Sequence, residues 1–97
     1  MAIKVIVELQ AKPGRRDKLQ RLLESLIATQ GPGRHGFLGS ARYEALDDPD
    51  ALVEIADWES AGAREAHMRE AAATGAYGPL LDLLAAPFRT SVISQLP

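Results

Sequence analysis

Glu54, Trp58 and His67 fall in one short stretch, "EIADWESAGAREAHM" at 54–68, which holds the only tryptophan and one of the two histidines. Each is a side-chain type that can do chemistry. Residues 51–58, "ALVEIADW", read as a strand, and side chains two and four apart on a strand point the same way, so Glu54 shares a face with Leu52 and Trp58. A carboxylate on such a face is desolvated, which disfavours its charged form and makes it a usable general base. The plainer alternative is a carboxylate at a sheet edge or paired with an arginine. Trp58 likewise reads as a core anchor or as the wall of a binding pocket. His67 reads as a structural hydrogen bonder or as a lining residue of a cavity.

Other chemistries find less support. There is no cysteine, hence no disulfide, thiolate metal site or cysteine nucleophile. His35 and His67 are the only imidazoles, and neither sits in a ligand cluster, so no intrinsic metal is expected. "GPGRHG" at 31–36 matches G-x-G-x-x-G, but it follows a helix and opens a strand, the reverse of a dinucleotide site, and reads as a loop. No G-x-S-x-G marks a serine nucleophile. The basic run Lys12, Arg15, Arg16, Lys18 and Arg21 reads as a solvated face, with an anionic ligand or partner as the alternative.

The elements that must position these residues follow from periodicity. Ile3, Val5, Val7 and Leu9 alternate with Lys4, Ile6, Glu8 and Gln10, the pattern of a strand with one buried face, ended by "KPG" at 12–14. Leu19, Leu22, Leu23, Leu26 and Ile27 make one apolar stripe on a helix over 15–30. Residues 36–46 alternate as a second strand, with Phe37, Ala41 and Tyr43 expected on one face; "DDPD" at 47–50 predicts a turn, and 51–58 a third strand. "ES" at Glu59 and Ser60 offers an N-cap for a second helix over 60–73, whose Gly62 and few large apolar residues give it little to pack with. A helical piece over 77–86 and a last strand over 88–96 complete the chain.

The order strand, helix, strand, strand, helix, strand predicts an α+β fold, the ferredoxin-like βαββαβ arrangement, as one domain over 1–97 with a four-stranded antiparallel sheet. Its helices cover one face of the sheet and leave the other bare, with Ile6 on the bare side. An apolar sheet face calls for a partner, so a homodimer packed sheet against sheet is expected. A chain of 97 residues buries roughly 60 to 65% of its unfolded surface, which favours such an assembly. With eleven basic against thirteen acidic side chains, nothing recommends nucleic acid or an anionic membrane as partner. No apolar run is long enough to span a bilayer and no signal peptide is evident, so a cytoplasmic protein is expected.

"KPGRRDKLQRLL", "GFLGSARYEALDDPD", "DWESAGAREAHM" and the tyrosine ahead of the last helical piece together resemble the antibiotic biosynthesis monooxygenase family, over nearly the whole chain. The resemblance implies a homodimer whose two sheets form an α/β barrel. It also implies a pocket between helices and sheet in each subunit, and enzymes that oxidise hydroquinones or polycyclic phenols with molecular oxygen and no cofactor.

Carried over position by position, the quinone-forming branch keeps Trp58, but its asparagine and tyrosine fall on Glu54 and Arg64. The quinol-oxidising branch has a glutamate where Ala56 stands and matches at His67. The haem-degrading branch requires an asparagine, and this chain has none. The expected catalytic set is therefore Glu54, Trp58 and His67, with Tyr43, Arg64, Tyr77 and Arg89 as substrate-binding residues and a small aromatic substrate as partner. A non-catalytic binding or structural dimer of the same fold is the alternative.

Overall fold

The computed structural model describes residues 2–30 and 35–97. In chain order the elements are β1 (Ile3–Gln10), α1 (Arg16–Gln30), β2 (Phe37–Ala45), β3 (Asp48–Trp58), α2 (Ala61–Thr74), α3 (Gly78–Leu81) and β4 (Arg89–Ile93). The strands form one antiparallel sheet in the order β2-β3-β1-β4, the ferredoxin-like topology. Among the described residues no helix is long and apolar enough to cross a membrane. Residues 31–34, most of the glycine-rich "GPGRHG" segment, lie outside the described residues.

The register fixes the two faces, because directly paired residues point to the same side. Ile3 pairs with Trp58, Val5 with Ala56, Val7 with Glu54 and Leu9 with Leu52, so all eight side chains face the helices. Lys4, Ile6 and Glu8 face the other way with their partners Asp57, Ile55 and Val53. The bare face thus carries Ile6, Val53 and Ile55 at its centre.

The core is split. Leu9, Ala11, Leu19, Leu23, Leu52, Leu80 and Leu84 form one buried cluster, and Ile3, Val5, Ala56 and Trp58 form another, with Val7 packed against both. Helix α1 sends Leu19 and Leu23 into the first cluster, as its stripe predicts. Helix α2 buries only Ala71 completely. It is secured by its ends instead: Ser60 Oγ accepts from Ala63 N at 3.1 Å, and Gly75 closes the helix in the left-handed region at φ 67°.

Four expectations change. The hairpin turns at Leu46 and Asp47, and β3 already begins at Asp48, because the 48–50 backbone finds partners: Asp48 pairs with Ala45, and Asp50 O accepts from Ala11 N at 2.8 Å. The last helical piece is four residues rather than ten. After Leu81 the chain turns to pair with the end of β1, through Lys12 N to Leu83 O at 2.9 Å and Ala85 N to Gln10 O at 2.8 Å. Strand β4 stops at Ile93, opposite Lys4, close to where its partner β1 begins.

Fourth, β2 does not alternate strictly. Phe37 pairs with Trp58 but Gly39 with Asp57, so Leu38 is an extra residue in a bulge. Phe37 therefore faces the helices together with Ser40 and Arg42, while Ala41 and Tyr43 face the bare side.

Candidate functional site

Between the sheet and the helices, in the split of the core, lies a cavity of about 120 Å³. Strands β1 and β3 supply Val5, Val7, Ala56 and Trp58; α1 supplies Leu23, Leu26 and Ile27; Arg64, His67 and Met68 of α2 close the other side. These last three, with Ala71, fall at helical spacing on one face of α2. Helix α2 lacks a large apolar stripe because its inward face lines a void instead of filling one.

Trp58 is both core anchor and cavity wall. It is 5% exposed, meets Phe37 edge-on at a ring-centroid distance of 5.2 Å, and meets His67 at 5.3 Å with the rings tilted by 36°. The His67 Nε2 lies 3.1 Å from the Tyr77 hydroxyl. Tyr77, at the N-cap of α3, also lines the cavity.

Glu54 lines the cavity from the middle of β3, on the helix-facing side where strand alternation puts it. Its Oε2 is buried and has no hydrogen-bond partner among the described residues. Burial pushes its carboxyl above the ordinary value of 4.5, and the positive charge of Arg42 opposes that rise without cancelling it. Arg42 is its direct cross-strand partner on β2 and donates from Nη1 to Ser40 Oγ at 3.2 Å. The arrangement is an acid held in an apolar void with one oxygen uncommitted, able to take a proton from a ligand in that void.

Of the residues singled out from sequence, five line this one cavity: Glu54, Trp58, Arg64, His67 and Tyr77. Two do not. Tyr43 faces the bare side of the sheet, because the Leu38 bulge and the register with Val53 put it there. Arg89 pairs with Glu8 in the β1–β4 register on that same side, 3.9 Å from its carboxylate, and is largely exposed. Sequence reasoning missed Phe37, Ser40, Arg42 and Met68. Only Met68, adjacent to His67 on α2, carried a sequence signal; the other three depend on the bulge and register of β2. Among the described residues, no three His, Asp or Glu side chains come together as a metal site would require.

The sequence profile of antibiotic biosynthesis monooxygenases matches residues 2–77. The chain belongs to that family. No curated protein matches it at a significant level. Solved structures of the same shape include a conserved protein from Methanosarcina mazei, 22% identical with a TM-score of 0.85, covering 99% of this chain and 94% of that one. Rv0793 from Mycobacterium tuberculosis is 23% identical with a TM-score of 0.82, covering 100% and 97%. SnoaB from Streptomyces nogalater, a cofactor-independent oxygenase, is 13% identical with a TM-score of 0.82, covering 97% and 92%. At these identities the likeness is one of fold. In this member of the antibiotic biosynthesis monooxygenase family, the cavity against Trp58 gathers Glu54, Arg64, His67 and Tyr77.

Proposed function

We propose that this protein is a cofactor-independent monooxygenase that oxidises an electron-rich aromatic hydroquinone or phenol with molecular oxygen. The observation that carries the reading is the buried, uncommitted Oε2 of Glu54 on an apolar cavity walled by Trp58 and the His67–Tyr77 pair. Membership of the antibiotic biosynthesis monooxygenase family supports it.

Dioxygen reacts slowly with closed-shell organic molecules, so the protein's task is to hold an electron-rich phenolate out of water. Glu54 takes the phenolic proton, and the anion gives an electron to dioxygen. A carbon–oxygen bond then forms at the ring, and the resulting hydroperoxide loses water. One oxygen atom stays on the ring and the other leaves as water, so a hydroquinone becomes a hydroxyquinone. All four electrons come from the substrate: Glu54 returns its proton to the ring-bound peroxide, and when the O–O bond breaks, the proton of the ring C–H leaves with the departing hydroxide as water. Trp58 packs against the ring, while His67, Tyr77 and Arg64 supply donors for its oxygens.

A homodimer through the bare sheet face belongs to the same proposal. Ile6, Val53 and Ile55 form an apolar patch there, with Tyr43 beside it, as a sheet-to-sheet interface requires.

The test is oxygen uptake by the purified protein with substituted hydroquinones and phenols, with Glu54→Gln, Trp58→Phe and His67→Ala in parallel. Uptake that wild type supports and Glu54→Gln loses by a hundredfold or more is the expected result. Uptake unchanged by all three substitutions would sink the proposal. Ligand binding without uptake would leave a binding module in its place.

A further inference from the structure

The cavity limits what can enter it. An engineered apolar cavity of about 150 Å³ takes up benzene, and the cavity against Trp58 measures about 120 Å³. The space is open to solvent on one side; its enclosed part holds one ring, and a fused second ring extends beyond it toward that opening. The boundaries do not yield readily: Val5 and Ala56 are buried sheet residues, and Leu23 belongs to the core.

Polar groups meet this space from both sides. Glu54 and Ser40 come from the sheet, and Arg64 and His67 from α2. A ring with an oxygen substituent at each end meets an acceptor on the sheet side and donors on the helix side, while its faces meet aliphatic and indole carbon.

We propose that the ligand is a single-ring phenol or hydroquinone with small substituents, and that fused polycyclic phenols are excluded from full burial. This rests on the site assignment above for where the ligand binds, and it is independent of whether turnover follows. Additional fused rings then protrude through the mouth into water and add little affinity.

Trp58 is the only tryptophan in the chain, so its fluorescence reports occupancy directly. The experiment titrates the purified protein, under argon, with 4-methylphenol, 2-naphthol and 2-anthrol, following Trp58 emission and confirming the constants by calorimetry. A second ring buried in an apolar site raises affinity on the order of a hundredfold. The expected result is a gain of less than tenfold from one ring to two, and again from two to three. Leu26→Ala, which enlarges the cavity from its α1 side, should then favour 2-naphthol over 4-methylphenol by tenfold or more relative to wild type.

A hundredfold gain per ring in wild type overturns the size limit and leaves the monooxygenase reading standing. So does a Leu26→Ala variant that folds and shows no shift in preference. Binding of 4-methylphenol with the expected ring-size profile, but no oxygen uptake with any single-ring hydroquinone, upholds the size limit and removes the monooxygenase reading. No binding of any phenol by the folded protein overturns both.

Discussion

The His67 Nε2 and the Tyr77 hydroxyl lie 3.1 Å apart, so the middle of α2 is tied to the residue that caps α3. Helix α3 is only four residues long and cannot hold its own position by local hydrogen bonding. Replacing Tyr77 by Phe removes this hydrogen bond and should lower stability by about 1 kcal/mol in urea unfolding. If the loss is below a few tenths, the pair is incidental to the fold.

Glu54 gives a pH signature of definite sign. Its folded-state pKa lies above its ordinary 4.5 because burial disfavours the charged form. The folded protein therefore holds an extra proton between those two values, so stability falls as pH rises through that window, and the full penalty is present above it. Glu54→Leu removes the penalty and adds apolar fill. It should stabilise the protein by about 1 kcal/mol at pH 8, with the gain shrinking as pH falls toward 4.5. A gain that is flat from pH 8 to pH 4.5 would show that the carboxyl titrates normally.

Arg42 sits directly across from Glu54 in the sheet and is the charge that restrains the rise of its pKa. Arg42→Gln should move the acid limb of the kcat/KM profile to higher pH, since the proposed base is the carboxylate of Glu54, whereas Arg42→Lys should leave that limb close to its wild-type position. An acid limb that stays put in Arg42→Gln separates the two residues functionally.

Gly36 is placed where a side chain has no room. Its φ is +84°, and a Cβ there would lie 2.5 Å from the Cβ of Ala63. Gly36→Ala combines a left-handed strain with a clash that only backbone movement relieves, and should cost about 2 kcal/mol. Thermal unfolding reads this directly, and an unchanged Tm would mean that α2 shifts freely away from β2.

Ile55 tests the bare face. Its side chain points away from the helices and plays no part in the cavity. Ile55→Asp should convert the proposed dimer to a folded monomer in sedimentation and abolish the concentration dependence of Tm. A wild type that sediments as a monomer would refute the dimer outright.

The legible part of this protein is its local periodicity. Alternation in 3–10 and the stripe from Leu19 to Ile27 gave two elements their type and their buried face, and alternation in 51–58 placed Glu54 beside Leu52 and Trp58. Long-range backbone pairing is less legible. The chain after Leu81 looked helical, but its backbone groups are drawn off by Gln10 and Lys12, roughly seventy residues earlier, which no local pattern records. Arg42 became a neighbour of Glu54 only through the β2–β3 register, and Tyr43 left the site for the same reason.

The Leu38 bulge has an evolutionary side. It works as a frameshift in the strand: upstream of it the alternation is read in one phase, downstream in the other. Phe37 and Tyr43 would share a face in an unbroken strand; with the extra residue, one aromatic is given to the ligand cavity and the other to the surface where a second subunit is proposed to sit. Deleting Leu38 would close the bulge and place Phe37 directly before Gly39, still turned toward Trp58; keeping Leu38 while losing the bulge would instead put Leu38 in that place and turn Phe37 toward the opposite side of the sheet. A relative that loses Leu38 alone keeps its aromatic in the pocket, whereas one that keeps the residue and loses the bulge exchanges that aromatic for leucine.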